Sequence, residues 1–176
     1  LDVGLHKLPV IFCVDRAGVT GPDGASAHGV IDMVLLTKVP GMTMLAPSSY
    51  QEVQVMLDDA LDMADGPVAI RWPRTSARFV NEHEVGTGRE ARKIMSGSGV
   101  CILAVGKMVE AAETAAAELQ ADGIAATLYD VRCIKPLDVA MLADAASHDL
   151  VVTIEDGLAA GGVGSMIAAR LADFDP

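Results

Sequence analysis

The sequence has few aromatic side chains, few basic side chains and few cysteines. Aromatic residues make up 3% of its 176 residues, yet 51% are hydrophobic, so its core must be built mainly from Ala, Val, Leu and Met. Such a core suits helices packed on parallel strands. The 13 basic residues are outnumbered by 24 acidic ones, which gives a net charge of −11. This balance argues against nucleic acid or an anionic membrane as a partner.

The sequence also has few cysteines and no long apolar run. Cys13, Cys101 and Cys133 each lie in an apolar segment, without a CxxC pair or a histidine at ligand spacing. They are therefore predicted to be small buried side chains in a reducing compartment rather than disulfides or metal ligands. No segment approaches the ~18 uninterrupted apolar residues of a membrane span.

Strand and helix patterns alternate along the chain, which predicts an α/β fold of two modules, each a parallel sheet flanked by helices. The segment from 81 to 98 is polar and glycine-containing and is predicted as the linker between modules 1–80 and 99–176. After a helical turn at 2–7, the predicted strands are 8–14, 42–46, 67–72, 99–105, 124–131 and 150–154. The predicted helices are 30–38, 50–64, 107–121, 136–146 and 166–172.

Local signals mark two of these helices. Ser49 and Glu52 have the spacing of a capping box, in which each side chain binds the backbone amide of the other residue. Pro136 is predicted in the first turn of its helix, where a missing N–H is tolerated. The first strand, 8–14, is a continuous apolar run and is predicted to be fully buried.

Polar residues follow the first and third strands, where ligands bind in open α/β sheets. Arg16 opens a glycine-rich loop, and its guanidinium can hold a phosphate or carboxylate; the alternative is an ion pair with Asp15 or another acid. Arg71 ends the third strand, and Arg74 follows. If the two strands lie close, Arg16 and Arg71 converge on one anion; the alternative is a solvated strand end.

His28 is the titratable residue at the end of the same loop, with Asp23 and Asp32 nearby. It is a candidate general acid or base, or a hydrogen-bond donor to a substrate oxygen. The alternative is a ring that packs at the entry of the next helix.

No metal site is predicted in this chain. Glu155 and Asp156 are adjacent acids, which are typical of a solvated strand end. The GGVGS segment at 161–165 lies between a strand and a helix, as phosphate-binding loops do, but lacks their lysine and spacing. It is predicted to provide a tightly packed helix entry.

Four segments carry a family resemblance: DRAGVTGPDG (15–24), IRWPR (70–74), VRCIKPLD (131–138) and the strand, acidic pair and GGVGS run (151–165). Together they resemble the 1-deoxy-D-xylulose-5-phosphate synthases, thiamine-diphosphate enzymes of the transketolase superfamily. The first segment is fairly specific for that family. The last two also occur in transketolases and in the β subunits of 2-oxo acid dehydrogenases.

The resemblance implies a cytoplasmic homodimeric transferase that condenses pyruvate with glyceraldehyde 3-phosphate, releasing carbon dioxide, for isoprenoid precursor and thiamine biosynthesis. The chain corresponds to the end of the pyrimidine-binding domain (1–80) and most of the C-terminal domain (99–176). By position in the motifs, Arg16 and Arg71 hold the substrate phosphate and Asp23 contacts substrate hydroxyls. The main ligands of thiamine diphosphate and Mg²⁺ are expected upstream of Leu1, so this chain alone is expected to be inactive.

One departure from the family pattern lies in the loop. The family histidine falls at Ala27, and His28 follows it. A glycine on either side permits a rearrangement that returns His28 to the substrate side, which makes it the candidate catalytic residue. Two alternatives stay open: the β subunit of a 2-oxo acid dehydrogenase, and an inactive paralogue with an assembly or regulatory role.

Overall fold

The structure is a computed structural model that describes residues 1–63, 65–76 and 78–174. These residues form two four-stranded, mostly parallel sheets with helices packed on them. The predicted α/β class is confirmed. Two antiparallel pairings depart from the purely parallel sheets that were predicted.

The first sheet contains the three strands that the sequence predicts in the N-terminal module, joined by a fourth from farther along. In spatial order they are β1 (Ile11–Val14), β3 (Val68–Arg71), β2 (Thr43–Leu45) and β7 (Cys133–Lys135). The first three are parallel, as predicted. β7 is antiparallel to β2 and was not predicted, because it is defined by pairing with a strand that lies far away along the chain.

The second sheet contains three predicted strands and one from the predicted linker. In spatial order they are β4 (Arg92–Met95), β6 (Ala126–Asp130), β5 (Val100–Ala104) and β8 (Val151–Ile154). β4 runs antiparallel to β6 and forms one edge of the sheet. The segment 81–98 therefore carries regular structure of its own, including a 3₁₀ turn at Glu82–Glu84.

The prediction that strand 8–14 is fully buried is wrong. β1 is an edge strand that pairs only with β3 among the described residues, and its two middle residues are exposed. Cys13 is therefore exposed, against prediction, whereas Cys101 and Cys133 are buried as predicted. An apolar run gives no information about whether a second strand covers the other edge.

The helices follow the predicted pattern with shifted ends. They are α1 (Asp2–Leu5), α2 (Asp32–Leu36), α3 (Tyr50–Asp62), α4 (Met108–Ala121), α5 (Val139–Ala145) and α6 (Val163–Leu171). The predicted end of the third helix, Ala64, lies outside the described residues. Pro136 is not in a helical turn, because Asp138 caps α5 by accepting hydrogen bonds from the amides of Ala140 and Met141.

The two sheets share one hydrophobic cluster. It contains Met44 and Ala69 of the first sheet and Leu103 and Tyr129 of the second, all buried. Ile134 of β7 belongs to the same cluster. The crossing of β7 into the first sheet therefore joins the two predicted modules through a common core.

Candidate functional site

The glycine-rich loop is closed at its base by Gly29. Its amide donates to the carbonyl of Arg16, and its carbonyl accepts from the amide of Gly18, each at 2.9 Å. A Cβ atom at position 29 would lie 2.4 Å from that Arg16 carbonyl oxygen, so only glycine permits this approach. The loop from Arg16 to His28 therefore projects from the carboxyl end of β1 as a closed unit.

Three charged side chains meet on this loop. Nε of Arg16 lies 3.0 Å from Oδ2 of Asp23, and NH1 of Arg74 contacts the other oxygen, Oδ1. Asp15 also pairs with Arg16. We call Arg16, Asp23 and Arg74 the loop cluster. It unites two predicted site residues with an arginine from the segment after β3.

The loop cluster is open to solvent on its cationic side. The side chains of Arg16 and Arg74 are 40% and 53% exposed, whereas that of Asp23 is 18% exposed. Partial burial alone would raise the pKa of Asp23, but hydrogen bonds from both arginines lower it below its ordinary value. The hydrogen bond to Asp23 raises the pKa of Arg16. Both groups are thus held ionised, with guanidinium N–H groups left over for an anion.

Arg71 lies in a different environment. Its side chain is 2% exposed, Nε binds Asp32 at 2.7 Å, and NH1 binds Asp156 at 2.8 Å. Its NH2 donates to the carbonyl of Gly29 at 3.3 Å. Burial alone would lower the pKa of Arg71, but the charges of Asp156 and Asp32 raise it. The expectation that Asp156 is a solvated strand end is wrong, because this carboxylate connects β8 to β3.

Arg16 and Arg71 both form hydrogen bonds with the backbone of Gly29. The amide of Gly29 donates to the Arg16 backbone, and its carbonyl accepts from the Arg71 side chain. The two strand ends are therefore adjacent, as β1 and β3 pair directly. That both guanidinium groups reach a single phosphate stays a prediction.

His28 ends the loop, and Thr20 holds its ring. The Thr20 amide donates to Nδ1 of His28 at 3.2 Å, and the Thr20 hydroxyl lies 3.0 Å from the same nitrogen. The ring is partly exposed. His28 thus lies on the loop that carries Arg16 and Asp23, while its catalytic role stays a prediction.

The GGVGS segment forms a helix entry around a carboxylate. Glu155 accepts hydrogen bonds from the amides of Val163 and Gly164 at 2.9 and 3.0 Å, which starts α6 three residues earlier than predicted. A Cβ atom at Gly162 would lie 2.7 Å from this carboxylate. Glu155 is therefore a helix cap rather than a solvated acid.

The described residues show neither a cluster suited to a metal ion nor a helix suited to a membrane. The described residues contain no group of three or more His, Cys, Asp or Glu side chains placed to hold a metal ion. Over the same ranges, none of the helices has both the length and the apolar character needed to cross a membrane.

A second charged cluster lies between the two sheets. Glu52 of α3 accepts from Nε of Arg132 at 2.8 Å, and Ser48 donates to Asp130 at 2.5 Å. Glu52 also accepts from the Ser48 amide, so Ser48, Glu52, Asp130 and Arg132 are connected. We call these four residues the buried network. Only half of the predicted capping box forms: Ser49 accepts from the Glu52 amide, but the Glu52 carboxylate turns to Arg132 instead.

Burial changes the protonation of this network. Arg132 and Asp130 are fully buried and Glu52 is 1% exposed. Burial, and then the charge of Glu52, raises the pKa of Asp130 from 3.8 to about 7. Arg132 also donates from NH1 to the carbonyls of Thr87 and Glu90, at 2.9 and 2.7 Å. The network therefore ties the segment before β4 to both sheets.

Sequence reasoning did not identify several of these partners. The sequence marks Asp32 and Asp156 only as neighbours of other polar residues, and it gives no signal for Thr20. It places Arg74 close to Arg71 but does not indicate a partner for it. Asp32 and Arg71 are 39 positions apart, and Asp156 is 85 positions from Arg71. Such pairs leave no local pattern, although a lone cation in an acidic chain signals that a partner exists.

Comparisons with known proteins agree with this architecture. Residues 1–80 match the family model "Transketolase, pyrimidine binding domain", and residues 89–175 match "Transketolase, C-terminal domain". A solved structure described as "Split gene transketolase, inactive beta4 tetramer" has a TM-score of 0.89 and 30% identity. That alignment covers 99% of this chain and 56% of the other.

Comparison with individual curated proteins narrows the likeness to one kind of enzyme. The chain is 44% identical over 180 residues to the 1-deoxy-D-xylulose-5-phosphate synthase of Chlorobium luteolum, covering 97% of this chain and 28% of that protein. It is 41% identical to 1-deoxy-D-xylulose-5-phosphate synthase 2 of Kitasatospora griseola, covering 99% of this chain and 29% of that protein. It therefore spans less than a third of these relatives. With both family models matched in order, the chain belongs to the transketolase superfamily, and within it is similar to the 1-deoxy-D-xylulose-5-phosphate synthases.

Proposed function

We propose that this chain supplies the aldehyde-binding part of an enzyme resembling 1-deoxy-D-xylulose-5-phosphate synthase. Such an enzyme condenses pyruvate with glyceraldehyde 3-phosphate and releases carbon dioxide. In this proposal, residues 1–80 belong to the pyrimidine-binding domain and residues 99–176 belong to the C-terminal domain. Residues 81–98 connect these two domains. The observation that carries the proposal is the loop cluster, with two solvent-exposed arginines flanking one acid at the carboxyl edge of a parallel sheet.

The loop cluster suits a phosphorylated hydroxyaldehyde. Guanidinium groups bind phosphate with parallel charge-assisted hydrogen bonds, and the exposed N–H groups of Arg16 and Arg74 are available for this. Asp23 is held ionised between them, so it can accept hydrogen bonds from substrate hydroxyls. Phosphate and hydroxyl recognition are thus adjacent on one loop.

Arg71 is also proposed as a phosphate ligand, on the strength of its position in the family motif. Its buried ion pairs with Asp32 and Asp156 impose a condition: one of the carboxylates must release a guanidinium nitrogen when the phosphate binds. Arg74 needs no such release, because its side chain is 53% exposed. The proposal therefore predicts different effects for substitutions of Arg71 and Arg74.

Thiamine diphosphate is the cofactor implied for enzymes of this type, and when bound it supplies the carbanion equivalent that attacks the aldehyde. The residues of this chain do not fit its diphosphate end. Mg²⁺ requires several oxygen ligands, and no cluster of acids suited to a metal occurs in the described ranges. We therefore assign this chain substrate binding and orientation, with no step through the cofactor.

A comparison of three variants in the complete enzyme tests the proposal. Arg16→Ala and Arg74→Ala should each raise the KM for glyceraldehyde 3-phosphate about 10- to 150-fold, the equivalent of one lost charge-assisted hydrogen bond of roughly 1.5–3 kcal/mol. The KM for pyruvate should change little. Unphosphorylated glyceraldehyde serves as the control substrate, since its KM should be insensitive to both changes.

Arg71→Ala separates a phosphate ligand from a structural arginine. The variant leaves Asp32 and Asp156 without their cation, so it should lose thermal stability in either case. If Arg71 binds phosphate, the KM should rise for the phosphorylated aldehyde as in Arg16→Ala and change little for pyruvate; if Arg71 only neutralises the two acids, both substrates should be affected alike. Unchanged KM values for the phosphorylated aldehyde in both Arg16→Ala and Arg74→Ala would refute the proposed role of the loop cluster.

A second proposal concerns the chain in isolation. The solved relative is described as the product of a split gene and as inactive in its β4 form, which supports an inactive role for this chain alone. We infer that the isolated 176 residues bind thiamine diphosphate weakly or not at all. Calorimetric titration with cofactor and Mg²⁺ tests this, and micromolar binding by the chain alone would contradict it.

A further inference from the structure

The contact between Thr20 and His28 defines which ring nitrogen carries the proton. A backbone amide can only donate, and the Thr20 amide is directed at Nδ1 of His28 at 3.2 Å. Nδ1 must therefore supply its lone pair, and in the neutral ring the proton lies on Nε2. The Thr20 hydroxyl, 3.0 Å from the same nitrogen, can only reinforce this arrangement by donating as well.

We propose that Thr20 is a positioning residue that fixes His28 in its Nε2–H form, so that the neutral ring presents an N–H donor to a substrate oxygen. The assignment of His28 to the site rests on the proposed function; the tautomer does not. In the part of the chain that the structure describes, Nε2 has no hydrogen-bond partner, so its N–H is available.

The consequence is chemical. A ring fixed this way is a hydrogen-bond donor, not a neutral general base, at the nitrogen that faces away from Thr20. A preorganised donor stabilises negative charge that develops on a carbonyl oxygen during attack on the aldehyde. The histidine lies at position 28 instead of position 27, and Thr20 orients its ring there.

Nuclear magnetic resonance on the ¹⁵N-labelled chain tests the positioning directly. A scalar coupling across the hydrogen bond should connect the Thr20 amide nitrogen with Nδ1 of His28, and the imidazole spectrum should show Nε2–H. Detection of Nδ1–H, or loss of the coupling while the ring is neutral, would overturn the proposal. Thr20→Val should retain the coupling, because only the hydroxyl is removed.

His148 provides an internal control in the same spectrum. Its Nδ1 lies 2.9 Å from the carbonyl oxygen of Asp144, which can only accept, so among the described residues this nitrogen receives no backbone amide. Its Nε2 also faces a carbonyl oxygen, that of Gly97 at 3.2 Å, so these contacts do not select one neutral tautomer for this ring. A scalar coupling between a backbone amide nitrogen and Nδ1 is expected for His28 and not for His148, and the same coupling at both rings would contradict the geometric argument.

Kinetics of the complete enzyme test the use of the donor. His28→Ala should lower kcat about 10²-fold or more, as the loss of a preorganised hydrogen-bond donor does. His28→Gln keeps an N–H donor and should retain activity within about tenfold of the parent, which a general base could not. Equal loss in the two variants would refute the donor role. Full activity in both would remove His28 from the proposed site, while the spectrum still reports on Thr20 independently.

Discussion

The loop cluster and the buried network contain similar side chains in opposite environments. The loop cluster has Arg16 and Arg74 around Asp23, with both arginines half exposed. The buried network has Arg132 against Glu52, with the pair 0% and 1% exposed. Exposed pairs are weakened by solvent, whereas a buried charge is costly unless it is paired. The first cluster is therefore suited to exchanging partners and the second to holding a structure.

The difference also shows where each cluster lies in the fold. The loop cluster is carried by segments after β1 and β3, at the carboxyl edge of the sheet, where we propose that the substrate binds. The buried network connects α3, the end of β6 and the segment before β4. We expect substitutions in the buried network to change stability first and substitutions in the loop cluster to change substrate binding first.

The largest effect is expected from Arg132→Met. This change leaves Glu52 buried without its cation, which typically destabilises a protein by about 3–5 kcal/mol. Urea unfolding of the 176-residue chain, followed by circular dichroism, measures the loss. The matched control is Arg16→Met, which should leave the midpoint unchanged because Arg16 is exposed.

Adding Glu52→Gln to Arg132→Met should recover part of the lost stability, because the uncompensated charge is removed with it. A double variant as unstable as the single one would indicate that packing, not charge, dominates. Equal losses from Arg132→Met and Arg16→Met would contradict the distinction between the two clusters.

A somewhat smaller effect is expected from pH, through Asp130. Its pKa is raised to about 7 in the folded protein, against an ordinary value of 3.8. Between about pH 4 and 7 the folded state keeps a proton that the unfolded state has released, so stability falls as pH rises. The fall is complete above about pH 7 and amounts to at most roughly 4 kcal/mol.

Asp130→Asn tests this pH dependence, because it carries no ionisable group. Glu52 and Arg132 face this position, as does Arg92, whose NH2 lies 3.9 Å from Asp130. The free energy of unfolding, measured from pH 4 to pH 8, should fall less in the variant than in the parent. Parallel curves for the two proteins would show that Asp130 ionises normally.

Substitution of one glycine near each cluster compares how tightly the backbone is packed in the two regions. A Cβ atom at Gly86 would lie 2.3 Å from Nε of Arg132, so Gly86→Ala should cost about 1–3 kcal/mol by overpacking. Gly21 in the loop has open space but a φ of +62°, so Gly21→Ala should cost about 1 kcal/mol from backbone strain alone. Thermal unfolding ranks them, and a reversed order would contradict tight packing around Arg132.

Local patterns predicted much of this fold. Alternating apolar runs and helical spacing predicted the strands around Phe12, Met44 and Ala69 in one parallel sheet, and the register confirms them. β4 and β7 were not predicted, because their pairings depend on residues far along the chain. Such strands are defined by their tertiary partners, which a single sequence does not display.

The site shows the same division. The Arg16 loop was predicted from its position after a strand, and the structure pairs Arg16 with Asp23. The burial of Arg71 could not be predicted, because its partners Asp32 and Asp156 come from distant segments. The capping-box spacing predicted that the Glu52 carboxylate binds the backbone amide of Ser49. It pairs with Arg132 instead, because a buried guanidinium binds a carboxylate more strongly than a neutral amide does.

The smallest effect on stability is expected from Arg74→Ala. Its side chain is 53% exposed, and Asp23 retains Arg16 as a partner after the change. The unfolding midpoint should therefore match that of the parent at low and high salt, since an exposed ion pair is screened by water. The same variant in the complete enzyme should still raise the KM for the phosphorylated aldehyde. Arg78→Ala is the matched control, because Arg78 pairs with Glu113 outside the loop cluster and should leave that KM unchanged. A lowered midpoint with an unchanged KM in Arg74→Ala would reverse the roles assigned to the two clusters, because it would make the exposed arginine structural.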